Sequence, residues 1–310
     1  EPTTALRAYN RHYQWYGPTQ YLNPHDFVSG QEYEVSFQYK LTDSDGNNVI
    51  CDPNNGRWGY ERCPVARFYA DARPNGGGVG YPHIGSTVSP GTSENAWGVV
   101  HGVFTPGSDV INAYKLYFYA EYPHPDLDMT IDNVAISPYN FNCTNNIIQN
   151  SDFEQGHFAF WEKAGDHRTS LSITKGYGTD SNALKVSGRH YYDWGVYQYI
   201  HDSCLVAGDI FKVSARLKMI KEGDTNPWWL CNIESTNRDE YCPSITAKDH
   251  GVVASVVGTP TPEPEDGWYE LSGTFQMYER DLHQDFYLKI ERAPIGVDLI
   301  IDDVEVKKIS

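Results

Sequence analysis

Two kinds of side chain in this sequence can define sites by type and spacing: paired cysteines, and aromatic rings set beside arginines. Cys51 and Cys63 correspond to Cys231 and Cys242 in a second copy of the same pattern, and Cys-Pro closes each loop. Local pairs matched between copies predict disulfides, each worth on the order of 3 kcal/mol in the chain-entropy account. Zinc would require CxxC-type spacing or an accompanying His cluster, and neither is present. Cys143 and Cys204 remain, and their pairing is predicted from a matched loss. Asp26 stands where the first copy should repeat Cys204, and that copy also lacks the segment that would carry the partner. Catalytic chemistry has no such signature: there is no HExxH, GxSxG, P-loop or Cys-His pattern. No pair of carboxylates is marked out for acid–base work across a cleft. The chain is therefore expected not to be an enzyme.

The rings lie in a repeated block. Ala183 to Ile200 reads ALKVSGRHYYDWGVYQYI, and Ala5 to Leu22 reads ALRAYNRHYQWYGPTQYL. The two align without a gap and stay in register to Lys218 and Lys40. Both carry Arg-His-Tyr, a glycine after an aromatic-rich step, then Gln-Tyr and an aliphatic residue. A glycine follows (Gly208, Gly30), then a strand-like run, FKVSARLK or YEVSFQYK. A repeat of this length means two copies of one fold.

A chain of 310 residues accommodates two domains of about 150 residues, each able to bury its own core. The aromatic load of 23 Tyr, 8 Trp and 12 Phe among Gly- and Pro-rich polar segments favours β structure with wet, ligand-facing rings. A net charge of −17 excludes nucleic acid as a natural partner, because phosphate binding needs excess Lys and Arg. It suits neutral sugars, cations or simple solubility. No run reaches the roughly 18 apolar residues of a membrane span. No leader pattern opens the sequence, so a mature chain or a fragment is expected. Disulfides, with the sequon Asn142-Cys143-Thr144 as a glycosylation site, predict an extracellular location, secreted or at the cell surface.

Along the chain, alternation predicts strands over Gln31–Leu41, Trp97–Phe104, Tyr114–Glu121 and Asp128–Ile136. The second copy answers with Trp268–Phe275, Phe286–Glu291 and Asp298–Val306. Asp43-Ser44-Asp45-Gly46 has too few ligands for a calcium loop and reads as a hairpin turn. No stretch offers an amphipathic helix of three turns. The result is an all-β sandwich, twice, over 1–138 and 139–310, with the boundary in SPYNFNC. The second copy has a long lead, Cys143 to Asn182, that the first copy does not match. The first domain is therefore expected to lack its opening strands, which the second places at Asn145–Phe153 and Leu171–Lys175.

Asn150-Ser151-Asp152-Phe153-Glu154 with Gly156 and Trp161 opens a longer series. ALKVSGR with Trp194, then DGWYELSGTF, FYLKIE and IDDVEV, continue it. In that order these motifs resemble carbohydrate-binding modules of the family 4, 9 and 22 type. The resemblance covers the whole second copy, and the first from Ala5 with weaker motifs. It implies tandem jelly-roll β-sandwiches of the galactose-binding-like kind, non-catalytic, with a polysaccharide or other glycan as partner. Planar rings would lie against the apolar faces of sugar rings, with polar neighbours fixing the hydroxyls.

On that reading the platforms in the second copy are Trp194 with Tyr191 or Tyr192. Arg189, Arg168 and Glu291 are the polar candidates, Glu291 because the family's polar contact lies on the matching strand. In the first copy the matching residues are Tyr16 with Trp15 beside it, Arg11 and Glu121. Each tyrosine can equally be core, and Arg11 and Arg189 can equally be structural partners. The resemblance also implies a structural Ca2+ in the second domain, held by Glu154 and Asp302. The alternative for Asp302 is to cap a turn. The first copy keeps Asp132 but has nothing at the position of Glu154. The rival expectation is a structural role. An extracellular fibre or array would form if a neighbouring chain or an upstream segment completes the open first domain.

Overall fold

The computed structural model describes residues 5–53, 62–73, 78–93, 96–141, 143–166, 168–179, 181–224, 231, 241–256, 267–283 and 285–310. The chain divides into two compact units, Glu1–Asn140 and Phe141–Ser310. Asn142 lies outside the described residues.

In the first unit the strands are β1 Leu6–Ala8, β2 Thr19–Leu22, β3 Tyr33–Thr42, β4 Asn48–Val49, β5 Val65–Asp71, β6 Val79–Gly80, β7 His83–Ser89, β8 Gly98–Phe104, β9 Lys115–Glu121 and β10 Asp128–Pro138. The second unit has β11 Glu162–Ala164, β12 Ser170–Lys175, β13 Asn182–Ser187, β14 Gly195–Tyr199, β15 Ile210–Lys221, β16 Ser244–Ala247, β17 Gly251–Val256, β18 Trp268–Gln276, β19 Tyr287–Glu291 and β20 Val297–Lys308. The single α-helical turn among the described residues is α1, Ser108–Ile111.

Strand order confirms one fold used twice. The first unit runs β1-β10-β3-β8-β7-β5-β9-β2, with β4 and β6 as side hairpins. The second runs β12-β13-β20-β15-β18-β17-β16-β19-β14-β11. By the repeat, β13 answers β1 and β14 answers β2, so the second order is the first with one strand added at each edge. The register agrees as well: Leu6 faces Ile131, and Leu184 faces Ile301. Both closing strands carry a bulge after the equivalent aspartates Asp132 and Asp302. The bulge residues Asn133 and Asp303 are left-handed at φ 53° and 47°.

Alternation builds each core. In β3, Tyr33, Val35, Phe37, Tyr39 and Leu41 are buried, while the intervening residues face outward. In β15, Phe211, Val213, Ala215, Leu217 and Met219 do the same. The Asp43 turn is a hairpin, as expected: Asp43 Oδ1 accepts from Asp45 N at 3.0 Å and Asn47 N at 2.8 Å. All three predicted disulfides are present, Cys51–Cys63, Cys143–Cys204 and Cys231–Cys242.

One expected strand is corrected. Residues 145–153 run along β20 without strand geometry. The Asn146 side chain takes over ladder positions, donating to Val304 O at 2.6 Å and accepting from Val306 N at 2.8 Å. Ile147 N donates to Val306 O at 2.9 Å and Val304 N to Ser151 O at 2.9 Å. A side chain standing in for backbone breaks the two-residue period that a strand needs. This segment covers Val304, which is 3% exposed. The first unit has no described counterpart of the segment or of β11 and β12, and Val134, at the position of Val304, is 41% exposed.

Candidate functional sites on the two sandwiches

The edge sheet of the second unit presents an outward aromatic face. In β14, Val196 and Gln198 point inward and are buried, which turns Tyr197 and Tyr199 outward. In β19, buried Leu288 and Ile290 turn Tyr287, Lys289 and Glu291 to the same side. The register sets Tyr199 opposite Tyr287, Tyr197 opposite Lys289, and Lys289 opposite Thr246 of β16. The rings of Tyr197, Tyr199 and Tyr287 meet at centroid distances of 5.4, 5.5 and 5.9 Å. Tyr197 OH donates to Glu162 Oε2 at 2.6 Å, and burial with that carboxylate pushes the phenol above its usual range. Glu291 is fixed at the end of the row. It accepts from Thr246 Oγ1 at 3.0 Å and pairs with Lys289 Nζ at 2.6 Å.

The first unit repeats this face with more rings. In β9, Leu116, Phe118 and Ala120 are buried, leaving Tyr117, Tyr119 and Glu121 on the other side. Tyr21 of β2 faces Tyr117, which faces Tyr69 of β5, while Thr19, Tyr119 and Arg67 form the next row. Tyr117 lies 5.5 Å from Tyr21, 6.1 Å from Tyr69 and 6.4 Å from Tyr119. Tyr81 closes on Tyr69 at 5.4 Å. Glu121, at the place of Glu291, has Arg67 Nε at 3.1 Å where the second unit has Thr246. None of these tyrosines was singled out in the sequence. Their signal is the phase of the strands: GVYQY, YLKIE and KLYFYAE keep tyrosines on one face and aliphatic residues on the other.

The predicted platforms lie in the loop before β14 and its counterpart before β2. Trp194 packs against Tyr191 at 4.9 Å and His190 at 6.0 Å, with the Arg168 guanidinium 5.7 Å from its ring. Tyr191 is exposed, and Tyr192 packs edge-on against Tyr241 at 5.6 Å. Arg168 itself forks onto Asp166, with Nε at 2.9 Å and Nη2 at 2.6 Å from Oδ2. In the first unit Trp15 stacks on Tyr13 at 4.7 Å, and Tyr16 meets both edge-on at 5.1 and 6.5 Å. Arg292 N donates to Tyr192 O at 2.8 Å, which sets the loop of the second unit beside the Glu291 end of the tyrosine face.

Arg189 and Arg11 are corrected from sugar contacts to backbone clamps. Arg189 is 2% exposed. Nε bonds Trp194 O, Nη1 bonds Pro294 O and Val297 O, and Nη2 bonds Tyr192 O and Ala293 O, all within 3.2 Å. A guanidinium has five N–H donors, so none remains for a ligand. Arg11 is 6% exposed and bonds the equivalent carbonyls of Tyr16, Leu127, Gln14 and Pro123. Desolvation lowers both to about 10. Each clamp ties the loop to the closing strands, which explains Arg-His-Tyr in both copies. The nearby glycine has its own reason. A Cβ on Gly17 would fall 1.7 Å from Ala120 O, and on Gly195 1.9 Å from Ile290 O.

Asp302 of β20 and Glu154 of the opening segment interact electrostatically. Asp302 is 2% exposed, and its oxygens accept from Tyr177 N at 2.7 Å and Asp303 N at 2.8 Å. Desolvation, with Glu154 and Asp303 adding like charge, pushes its carboxyl up to about 6. Glu154 Oε1 accepts from Asn182 N at 2.9 Å. A buried carboxylate with a second one near enough to raise it, and the Asn182 carbonyl beside the same Gly176 position as Asp302 Oδ2, offer hard oxygen atoms of the kind Ca2+ takes. These two residues would hold the ion, which would supply charge neutralisation and ties between β20, the loop and the opening segment. Among the described residues no group of three or more His, Cys, Asp or Glu side chains converges on one point, so carbonyls must complete such a shell.

Residues 145–294 match a carbohydrate binding domain family. Among curated proteins, the chain is 26% identical over 215 residues to endo-1,4-beta-xylanase A of Thermoanaerobacterium saccharolyticum. That match covers 69% of the chain and 17% of the relative, so the chain spans a small part of the relative's length. Among solved structures it is similar to the N-terminal CBM22-1–CBM22-2 tandem domain of Paenibacillus barcinonensis Xyn10C. The TM-score is 0.37 at 16% identity, covering 98% of this chain and 87% of that one. The C-terminal family 22 module of Clostridium thermocellum Xyn10B gives 0.34 at 15% identity, covering 51% and 90%.

Proposed function

We infer, from a second unit whose residues 145–294 match a carbohydrate binding domain family and a first that repeats its strand order, that this chain binds polysaccharide through both units without cleaving it. The observation that carries this reading is the outward tyrosine row at equivalent places in the two sandwiches: Tyr197, Tyr199 and Tyr287 in one, Tyr21, Tyr69, Tyr117 and Tyr119 in the other. Rings in such a row offer a rigid platform to the C–H faces of successive sugars. Glu291 and Glu121 at the row ends, held by their neighbours, orient hydroxyls. Trp194, Tyr191, Tyr192 and Arg168 extend the second platform at that end. Trp15 and Tyr16 extend the first. The xylanase relative supports a β-1,4-linked xylan-type polymer as the glycan. Three disulfides support secretion, and Glu154 with Asp302 form the seat for a structural Ca2+.

Affinity electrophoresis of the full chain in gels containing xylan or mixed-linkage β-glucan tests this reading. The parent should be retarded by at least one polymer, and Tyr287→Ala combined with Tyr117→Ala should migrate freely. A parent retarded by no polysaccharide refutes it.

A second reading concerns assembly and is favoured by the contrast between Val134 and Val304. The uncovered strip of the first unit is proposed to receive an extended segment from the same polypeptide or a neighbour, doing there what residues 145–153 and β12 do in the second. Grafting a copy of residues 143–176 ahead of Glu1 should raise the melting temperature of the first unit. An unchanged value would argue against a receptive strip.

A further inference from the structure

We propose that the tyrosine face of the first unit selects glycans bearing a uronate carboxylate, which Arg67 and Arg62 grip beside Tyr122. The proposal rests on the polysaccharide-binding reading above and adds the charge of the ligand. Arg67 points outward from β5, opposite Tyr119 on one side and His83 on the other, next to Tyr69 on its own strand. Its guanidinium lies 4.7 Å from the Tyr122 ring centroid, and that of Arg62 lies 3.6 Å away. Two cationic side chains thus converge on one ring at the end of the aromatic row, in a chain whose net charge is −17.

The backbone is strained to put that ring there. Tyr122 has φ 88°, in the left-handed region that bulky residues avoid. Its N–H donates to Gln14 O at 2.8 Å. The equivalent Arg292 has φ 70° and donates to Tyr192 O at 2.8 Å. Both units therefore hold a non-glycine residue in the left-handed region at this end of the face. The chemistry there differs. The second unit has Lys289 and Thr246 where the first has Tyr119 and Arg67, and there Glu291 takes up both partners.

The first unit does not saturate its cation in the same way. Arg67 Nε is 3.1 Å from Glu121 Oε1, close enough for ion pairing. The angle fails as a hydrogen bond, leaving that buried N–H without an acceptor among the described residues. Burial raises the Glu121 carboxyl, against the pull of both arginines, and burial followed by the same two arginines lowers His83. A guanidinium matches a carboxylate in a two-pronged geometry that a sugar hydroxyl cannot reproduce. The Arg67 side chain keeps 28% of its surface exposed, and a uronate on a sugar stacked over Tyr117 and Tyr69 meets the guanidinium there.

Isothermal titration of the full chain compares a neutral xylo-oligosaccharide with its glucuronate-substituted congener. The parent should bind the acidic ligand about tenfold or more tightly at low salt, the gain expected from one charge-assisted contact. The gain should shrink with added salt. Arg67→Gln should lose the preference, its loss of affinity for the acidic ligand exceeding its loss for the neutral one by about tenfold. Equal affinity of the parent for both ligands, or a gain independent of salt, overturns the uronate assignment alone. Binding of neither ligand, with no retardation on any polysaccharide, overturns the binding reading together with it. The salt series needs no variant, so misfolding of Arg67→Gln cannot obscure the result.

Discussion

Leu6 and Leu184 hold the same place in the repeat, each opposite the equivalent isoleucine of the closing strand, yet Leu6 is 57% exposed and Leu184 fully buried. The difference is supplied by β12 and the opening segment, which cover β13 and β20 in the second unit. The two leucines should therefore respond differently to the same substitution. Leu184→Ala should cost about 2–5 kcal/mol, the range for a buried leucine, and Leu6→Ala about 0.5 kcal/mol or less, as for an exposed site. Chemical denaturation of each variant measures both. A large loss for Leu6→Ala would mean that something covers β1 in solution.

Arg189 acts on the backbone, so its substitution should be read in stability. Arg189→Lys keeps the charge but offers three donors on a point-like head, abandoning buried carbonyls of Ala293, Pro294 and Val297. A loss of about 2–4 kcal/mol is expected for the second unit. Affinity for polysaccharide per folded molecule should stay unchanged. A variant that keeps its stability and loses binding would return Arg189 to the sugar site.

The strands were legible because alternation is written in adjacent residues: YEVSFQYK and FKVSARLK needed no tertiary information to be read as core strands. The disulfides were legible because the repeat aligned them. The arginine clamps were not, since an arginine beside rings looks the same whether its donors meet a sugar or carbonyls brought in from another part of the chain. The tyrosine faces were hidden for a related reason. Tyr197 and Tyr287, or Tyr21, Tyr69 and Tyr117, become neighbours only through strand pairing, while Trp194 stands out beside the repeated motif. The opening segment reads as a strand because it fills a lead that the first copy lacks. Asn146, by bonding like backbone, replaced the ladder that such a strand would have made.

Tyrosine row and loop platform make separable contributions to binding. Tyr287→Ala removes one ring of the Tyr197–Tyr199–Tyr287 cluster, and Trp194→Ala removes the platform at the Glu291 end. Each should cost roughly 1–3 kcal/mol of affinity in the second unit, by analogy with other ring-stacking sites, with folding intact. Glycan arrays and titration calorimetry on the full chain provide the readout. If Trp194→Ala leaves every glycan affinity unchanged while Tyr287→Ala abolishes binding, the site is confined to the sheet.

Asp302 links calcium, pH and stability with a sign opposite to that of a salt-bridged carboxylate. Its carboxyl is raised to about 6 in the folded chain, mainly by desolvation, against about 3.9 in an unfolded one. The folded state therefore holds the proton more tightly, and without metal the second unit should gain stability as pH falls from about 6 toward 4, on the order of 2 kcal/mol. Above pH 6 the buried charge is a standing cost that a divalent cation beside Glu154 would relieve. Adding Ca2+ at pH 7 should then raise the melting temperature, and the gain should fade below pH 5 as the ion competes with the proton. Asp302→Asn separates the two effects. It removes the buried charge but leaves one of the two backbone N–H groups without its acceptor, so it should lose the pH dependence of this carboxyl and should not respond to Ca2+. A variant that still gains from Ca2+, or a parent indifferent to it at every pH, would show that Asp302 only anchors the Tyr177 turn.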